Sequence, residues 1–137
     1  MTEVSILATG LGFPEGPVAM PDGSVILTEI RNNKCSRVTS DGKVALFSAT
    51  GGGPNGLAVG PDGALYLCNN GGSRYVEGVS MGQGPHPDYK GGSIQRIERS
   101  GGEAESEALL MCACEPSRAT IGASLNAASF SRKAKMP

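Results

Sequence analysis

Apolar residues in the first part of the chain come in short runs, and turn-forming residues close each run. Val4–Ala8, Gly16–Met20, Val25–Ile30, Lys34–Thr39 and Lys43–Ser48 each read as a strand. Pro21-Asp22-Gly23 and Ser40-Asp41-Gly42 stand between neighbours as tight turns. Such a turn has a physical cause: Pro presets φ, Asp accepts a local backbone hydrogen bond, and Gly tolerates positive φ. Residues 16–48 therefore predict a four-stranded meander. A second set follows with Gly56–Gly60, the turn Pro61-Asp62-Gly63 and Ala64–Asn69. After an insert rich in Gly and Pro (Gly71–Lys90), Gly92–Arg99 resumes the pattern, and Ser93–Ile97 parallels Cys35–Val38. Glu103–Leu110 completes the set as a fourth strand or as a short helix, since its composition suits both.

The two sets are copies. Pro14–Ile30 (PEGPVAMPDGSVILTEI) recurs forty residues later as Pro54–Asn70 (PNGLAVGPDGALYLCNN). A period of about forty residues fits one four-stranded blade of a β-propeller. Helical repeats of similar length are excluded, because Pro and Gly punctuate the chain about every eight to twelve residues. The expected fold is all-β, a fragment of a propeller holding about two blades within residues 1–103. Closing a propeller takes roughly four to eight blades, and two leave unpaired strand edges through which copies self-associate. Residues 104–137 read as a divergent tail. Neither the period nor the turn survives past Glu115, so Pro116–Pro137 is expected to be disordered.

Composition agrees with short strands and many turns: 21 Gly, 9 Pro, no Trp and few other aromatics among 137 residues. The net charge of −1 gives no field that would steer the chain to nucleic acid or to an anionic membrane. All 13 acidic residues precede position 116 while basic residues continue beyond it, which marks a boundary near that point. No apolar run approaches the roughly 20 residues that span a bilayer. The first residues, MTEVSILATGLG, lack the basic start and long apolar stretch of a signal peptide. A cytoplasmic location follows as the expectation, with Cys35, Cys68, Cys112 and Cys114 as free thiols. Cys112 and Cys114 have a spacing open to metal or redox chemistry, but no second Cys pair or neighbouring His accompanies them.

Gly12-Phe13-Pro14-Glu15-Gly16-Pro17, the Pro-Asp-Gly turn, Pro54-Asn55-Gly56-Leu57-Ala58 and Leu65-Tyr66-Leu67-Cys68-Asn69-Asn70-Gly71-Gly72 resemble the opening of the SMP-30/gluconolactonase (regucalcin-like) family. The similarity covers about residues 4–103. The resemblance implies a six-bladed propeller with a divalent cation in its central channel, most often calcium, with zinc as the other candidate. It also implies hydrolysis of a sugar lactone. Glu15 stands where that family places a first-blade metal ligand, and Asn55 occupies the equivalent place in the second repeat. The family's later ligands and its catalytic base, an acidic residue of a late blade, have no counterpart in this sequence.

Calcium takes roughly 6–8 oxygen ligands, and Glu15 and Asn55 offer hard oxygens of that kind. Three literal motifs carry less. Gly51–Gly56 spells G-x-G-x-x-G, but the pattern after it is a strand rather than the helix a phosphate site needs. Gly78–Gly82 spells the nucleophile elbow G-x-S-x-G beside His86 and Asp88, yet Gly84-Pro85-His86-Pro87 forbids the helix an elbow leads into. His86 is the single histidine and cannot build a multi-His metal site. Two functions follow: a metal-dependent lactonase with Glu15 and Asn55 in its site, inactive if these blades stand alone, or a non-catalytic β-repeat fragment serving as an interaction or structural module.

Overall fold

The computed structural model describes residues 3–110. Among them there are eight strands and no helix: β1 (Pro14–Ala19), β2 (Val25–Glu29), β3 (Lys34–Val38), β4 (Val44–Ala49), β5 (Pro54–Val59), β6 (Leu65–Asn69), β7 (Gly92–Ile97) and β8 (Ala104–Leu110). They make two four-stranded antiparallel sheets, ordered β1-β2-β3-β4 and β5-β6-β7-β8. Both meanders lie where the periodicity puts them. Each begins two residues earlier than the apolar pattern suggests, at a proline. That is tolerated because β1 and β5 are edge strands, where a missing N–H costs no ladder bond. The Glu103–Leu110 region resolves as strand β8, paired along β7 from Ile97↔Ala104 to Gly92↔Leu110. Of the expected divergent tail, residues 104–137, Ala104–Leu110 form β8 of the second sheet, and the remainder, including Pro116–Pro137, lies outside the described residues.

One expected strand is absent. Val4–Ala8 is extended chain without a strand partner, and Val4 and Ile6 are 91 % and 82 % exposed. Instead the segment runs from the Ser40–Gly42 turn, where the Leu7 carbonyl lies 2.6 Å from the place of a Gly42 Cβ, to the end of β2. There the Gly12 N–H donates to Glu29 Oε2 at 2.7 Å. It straps the outer face of the first sheet.

Alternation along the strands sorts the side chains into faces. Ile26 and Cys35, with Phe47 from the β4 bulge, join Leu65, Leu67 and Ile97 of the second sheet in one core, flanked by Val18, Met20, Leu57 and Ala104. This is the contact between the sheets. Each fully buried Ile or Leu here contributes about 1.5–3 kcal/mol. The opposite face of the first sheet carries Leu27, Glu29, Ser36 and Val38, buried beneath the strap.

The repeat extends to side-chain contacts. Arg37 pairs with Asp22 at the first Pro-Asp-Gly turn, and Arg96 pairs with Asp62 at the second, 3.2 Å apart. The strand registers Ile26↔Arg37 and Tyr66↔Arg96 show that the two arginines hold equivalent places.

Candidate functional site

Glu15 and Asn55 sit at the same point of β1 and β5, and each lies at a bulge. The β1–β2 register shifts between Glu15 and Val18, and the β5–β6 register shifts between Pro54 and Leu57. A bulge frees residues from the ladder and re-aims their side chains, which is why bulges recur beside functional sites. Both side chains are exposed. Among the described residues neither the carboxylate nor the amide has a hydrogen-bond or ion-pair partner. Phe13, two residues before Glu15, has φ of 61°, a left-handed conformation that an aromatic residue rarely adopts.

The backbones of the two bulges touch. Gly16 has φ of +51°, and a Cβ on it would stand 2.7 Å from both Asn55 O and Leu57 N. Only glycine permits that approach. Thr28 on β2 completes the joint: its Oγ1 lies 3.0 Å from Glu15 O and 2.6 Å from Asn55 O. The structure therefore brings the two candidate residues together through their main chains and leaves their side-chain oxygens without partners among the described residues.

No cluster of three or more His, Cys, Asp or Glu suited to a metal ion occurs among the described residues. Glu15 and Asn55 offer one carboxylate and one amide oxygen, a hard-oxygen set of the calcium type rather than the nitrogen and sulfur set that zinc prefers.

Sequence reasoning missed Glu29, the most buried acid among the described residues at 1 % exposure. Its Oε1 accepts from Ser36 Oγ at 2.5 Å and lies 3.3 Å from Lys34 Nζ. Its Oε2 accepts from Gly12 N at 2.7 Å and Asn32 Nδ2 at 2.5 Å. Burial alone raises the carboxyl pKa, but the Ser36, Gly12, Asn32 and Lys34 donors outweigh it and hold the value below the ordinary one. Asn69 is its counterpart: Oδ1 accepts from Gly53 N (2.8 Å) and Gly71 N (2.9 Å), and Nδ2 donates to Gly51 O (2.9 Å) and Gln95 Oε1 (3.1 Å). Both residues lash the incoming chain to the sheet end. The signal was present in the sequence, since a polar residue closes an apolar strand at the same place in both repeats.

The motif loops do other work. Gly51–Gly56 runs into β5, and Gly78–Gly82 follows no strand and precedes no helix. Arg31 holds the elbow-like loop by its backbone, donating to Val79 O (2.7 Å) and Ser80 O (3.3 Å) while its guanidinium lies 4.8 Å from the Tyr75 ring centre. His86 Nδ1 accepts from Asp88 N at 3.2 Å. Both residues border a shallow depression of about 220 Å³ together with Asn33, Gly52, Gly72 and Ser73.

No protein-family model and no curated protein matches this chain. Among the described residues no helix is long and apolar enough to cross a membrane.

Proposed function

We propose that the two sheets are blades of a six-bladed propeller of the SMP-30/gluconolactonase type, and that Glu15 is a ligand of a divalent cation serving sugar-lactone hydrolysis. One observation carries this reading: paired bulges set a free carboxylate and a free amide oxygen at the same point of two touching strands. Such a cation, when bound, polarises a lactone carbonyl and lowers the pKa of a bound water. Glu15 supplies the charge that holds it, and Asn55 supplies a neutral oxygen to the cation or to the sugar. The Gly16 approach and the Thr28 hydroxyl fix the spacing of the two strands, and so the placement of both groups. Calcium is the ion the oxygen set suits.

Two protein oxygens leave most of a calcium shell to water, so binding by these residues alone is weak and turnover is small. The test is calcium titration by calorimetry alongside gluconolactone hydrolysis followed by acid release, with calcium or zinc added. Calcium binding that disappears in Glu15→Gln and weakens in Asn55→Ala supports the reading. Binding that is identical in parent and both variants removes it. The second reading, a non-catalytic interaction module, is favoured by the exposed Val44 and Leu46 on β4, and it predicts neither binding nor hydrolysis.

A further inference from the structure

The sequence holds two Asn-Gly steps, Asn55-Gly56 and Asn70-Gly71. Such a step carries its own chemistry: the glycine nitrogen, unshielded by a Cβ, can reach the carbonyl carbon of the preceding side-chain amide. Whether it does so depends on what holds the two groups, and the structure holds them differently. At the second step both are tied. Gly71 N donates to Asn69 Oδ1 at 2.9 Å, and Asn70 Oδ1 accepts from Gly72 N at 2.8 Å. The space around Gly71 is also filled, since a Cβ there would run into the Gly91 carbonyl and the Tyr89 ring.

At the first step both are open. Asn55 and Gly56 fall inside the β5 bulge, between the paired positions Pro54↔Asn69 and Leu57↔Leu67, so neither has a cross-strand partner in the ladder. Both residues are exposed, and the Asn55 amide has no hydrogen-bond partner among the described residues. Nothing stands within 4 Å of a Cβ at Gly56. The Thr28 hydroxyl donates to the Asn55 main-chain carbonyl at 2.6 Å. That bond draws electron density from the Asn55–Gly56 peptide and favours its deprotonated form, and the deprotonated nitrogen is the attacking species.

From this contrast we infer that Asn55 is a site of self-modification by deamidation. The Gly56 nitrogen gives up its proton and bonds to Asn55 Cγ; the Cγ–Nδ2 bond breaks, and the amide nitrogen leaves as ammonia. The product is a five-membered cyclic imide. Water then adds to one of the two imide carbonyls, and the bond from that carbon to the Gly56 nitrogen breaks. Opening at Cγ leaves an aspartate at position 55 with an ordinary main chain. Opening at the main-chain carbonyl leaves an isoaspartate and lengthens the chain at the seam by one atom. One water is consumed and one ammonia released, with no oxidant or other co-reactant. Either product carries a carboxylate in place of a neutral amide. Resting on the reading of Glu15 as a cation ligand, this sets a second negative charge beside the first, and ligand charge is one of the quantities that tune calcium affinity.

The full chain is incubated folded in mildly alkaline buffer, with a parallel sample in urea, and both are mapped over time by tandem mass spectrometry. In the folded chain Asn55 is expected to gain the mass of amide-to-acid exchange while Asn70 does not. In urea, where no contact distinguishes the two steps, both are expected to convert. Gly56→Ala, whose methyl group meets open space, is expected to keep its β structure by far-UV circular dichroism and to suppress the conversion at position 55. An Asn55 that stays an amide in the folded parent, an Asn70 that converts as fast as Asn55 when folded, or a folded Gly56→Ala chain that converts as fast as the parent overturns the proposal. Calcium calorimetry on Asn55→Asp reads the consequence separately. Binding tighter than in the parent is the expected result; no binding in either chain counts against the cation reading alone, since the mass spectrum decides the modification.

Discussion

The Thr28 hydroxyl reaches across the seam between the sheets to the Asn55 carbonyl at 2.6 Å, while staying within 3.0 Å of Glu15 O on its own sheet. One side chain from the second strand of the first repeat thereby ties the leading strands of both. Thr28 is fully buried, so no water replaces its donor. Thr28→Val is expected to destabilise by about 1–2 kcal/mol, the cost of leaving two partly buried carbonyls without their donor. Thr28→Ser, which keeps the hydroxyl, is expected to lose less. Urea unfolding of both variants checks this, and equal losses would assign the effect to the methyl group instead.

Gly16 and Gly56 hold equivalent places in the repeat and differ in surroundings. A Cβ at Gly16 meets backbone atoms of Asn55 and Leu57 at 2.7 Å, whereas a Cβ at Gly56 meets nothing within 4 Å. Gly16→Ala is expected to cost about 1–3 kcal/mol through left-handed strain and forced separation of the strands. Gly56→Ala is expected to be close to neutral. Thermal melting of the pair decides it, and similar melting temperatures would remove the close approach as a determinant of the fold.

Glu29 makes stability depend on acid. Its folded carboxyl sits below its ordinary pKa because its donors outweigh burial. A lowered folded value means that the stabilisation is fully present above the unfolded pKa of about 4.3 and is lost as pH falls through the folded value. Glu29→Gln is expected to destabilise at neutral pH by about 1–3 kcal/mol, since its amide N–H₂ faces donors. The variant is also expected to show a shallower loss of stability on acidification. Urea midpoints taken through the acid range measure both; parallel curves for parent and variant would show that other carboxylates set the slope.

The two described cysteines are expected to react differently. Burial pushes the Cys35 thiol up to about 12, whereas Cys68 is exposed on the second sheet. The thiolate is the reactive species, so iodoacetamide at mildly alkaline pH is expected to modify Cys68 and spare Cys35 until the chain unfolds. Peptide mapping by mass spectrometry reads the two sites separately. Rapid modification of Cys35 in the folded chain would mean that the intersheet core opens readily.

Strands and turns were legible in the sequence because Pro-Asp-Gly, Ser-Asp-Gly and the forty-residue period carry local signals that tertiary context does not override. Glu15 and Asn55 were legible as equivalent positions for the same reason. What escaped depends on which face is covered. Val4–Ala8 has the apolar content of a strand, but the segment meets the first sheet at the Gly42 turn and at Glu29 rather than along a strand edge, and alternation alone does not report where a segment docks. Glu29 resembles a surface acid at a strand end until Gly12, Asn32, Lys34 and Ser36 converge on it from three separate segments. The Gly16–Asn55 approach needs two repeats in contact, which neither repeat encodes by itself.

The buried links at Glu29 and Asn69 give the repeats an order of precedence. A carboxylate only accepts hydrogen bonds, and the donors around position 29 suit it; an amide accepts and donates, as the Gly53 and Gly71 N–H groups and the Gly51 carbonyl require at position 69. Exchanging the two would aim a charge at carbonyl oxygens in the second sheet and leave donors facing donors in the first. The repeats therefore cannot be shuffled, duplicated or swapped without penalty, although their strands, turns and ion pairs match. A single pair of side chains records which repeat comes first, and a lineage that multiplied this unit would have to rewrite that pair before the new copy could fit.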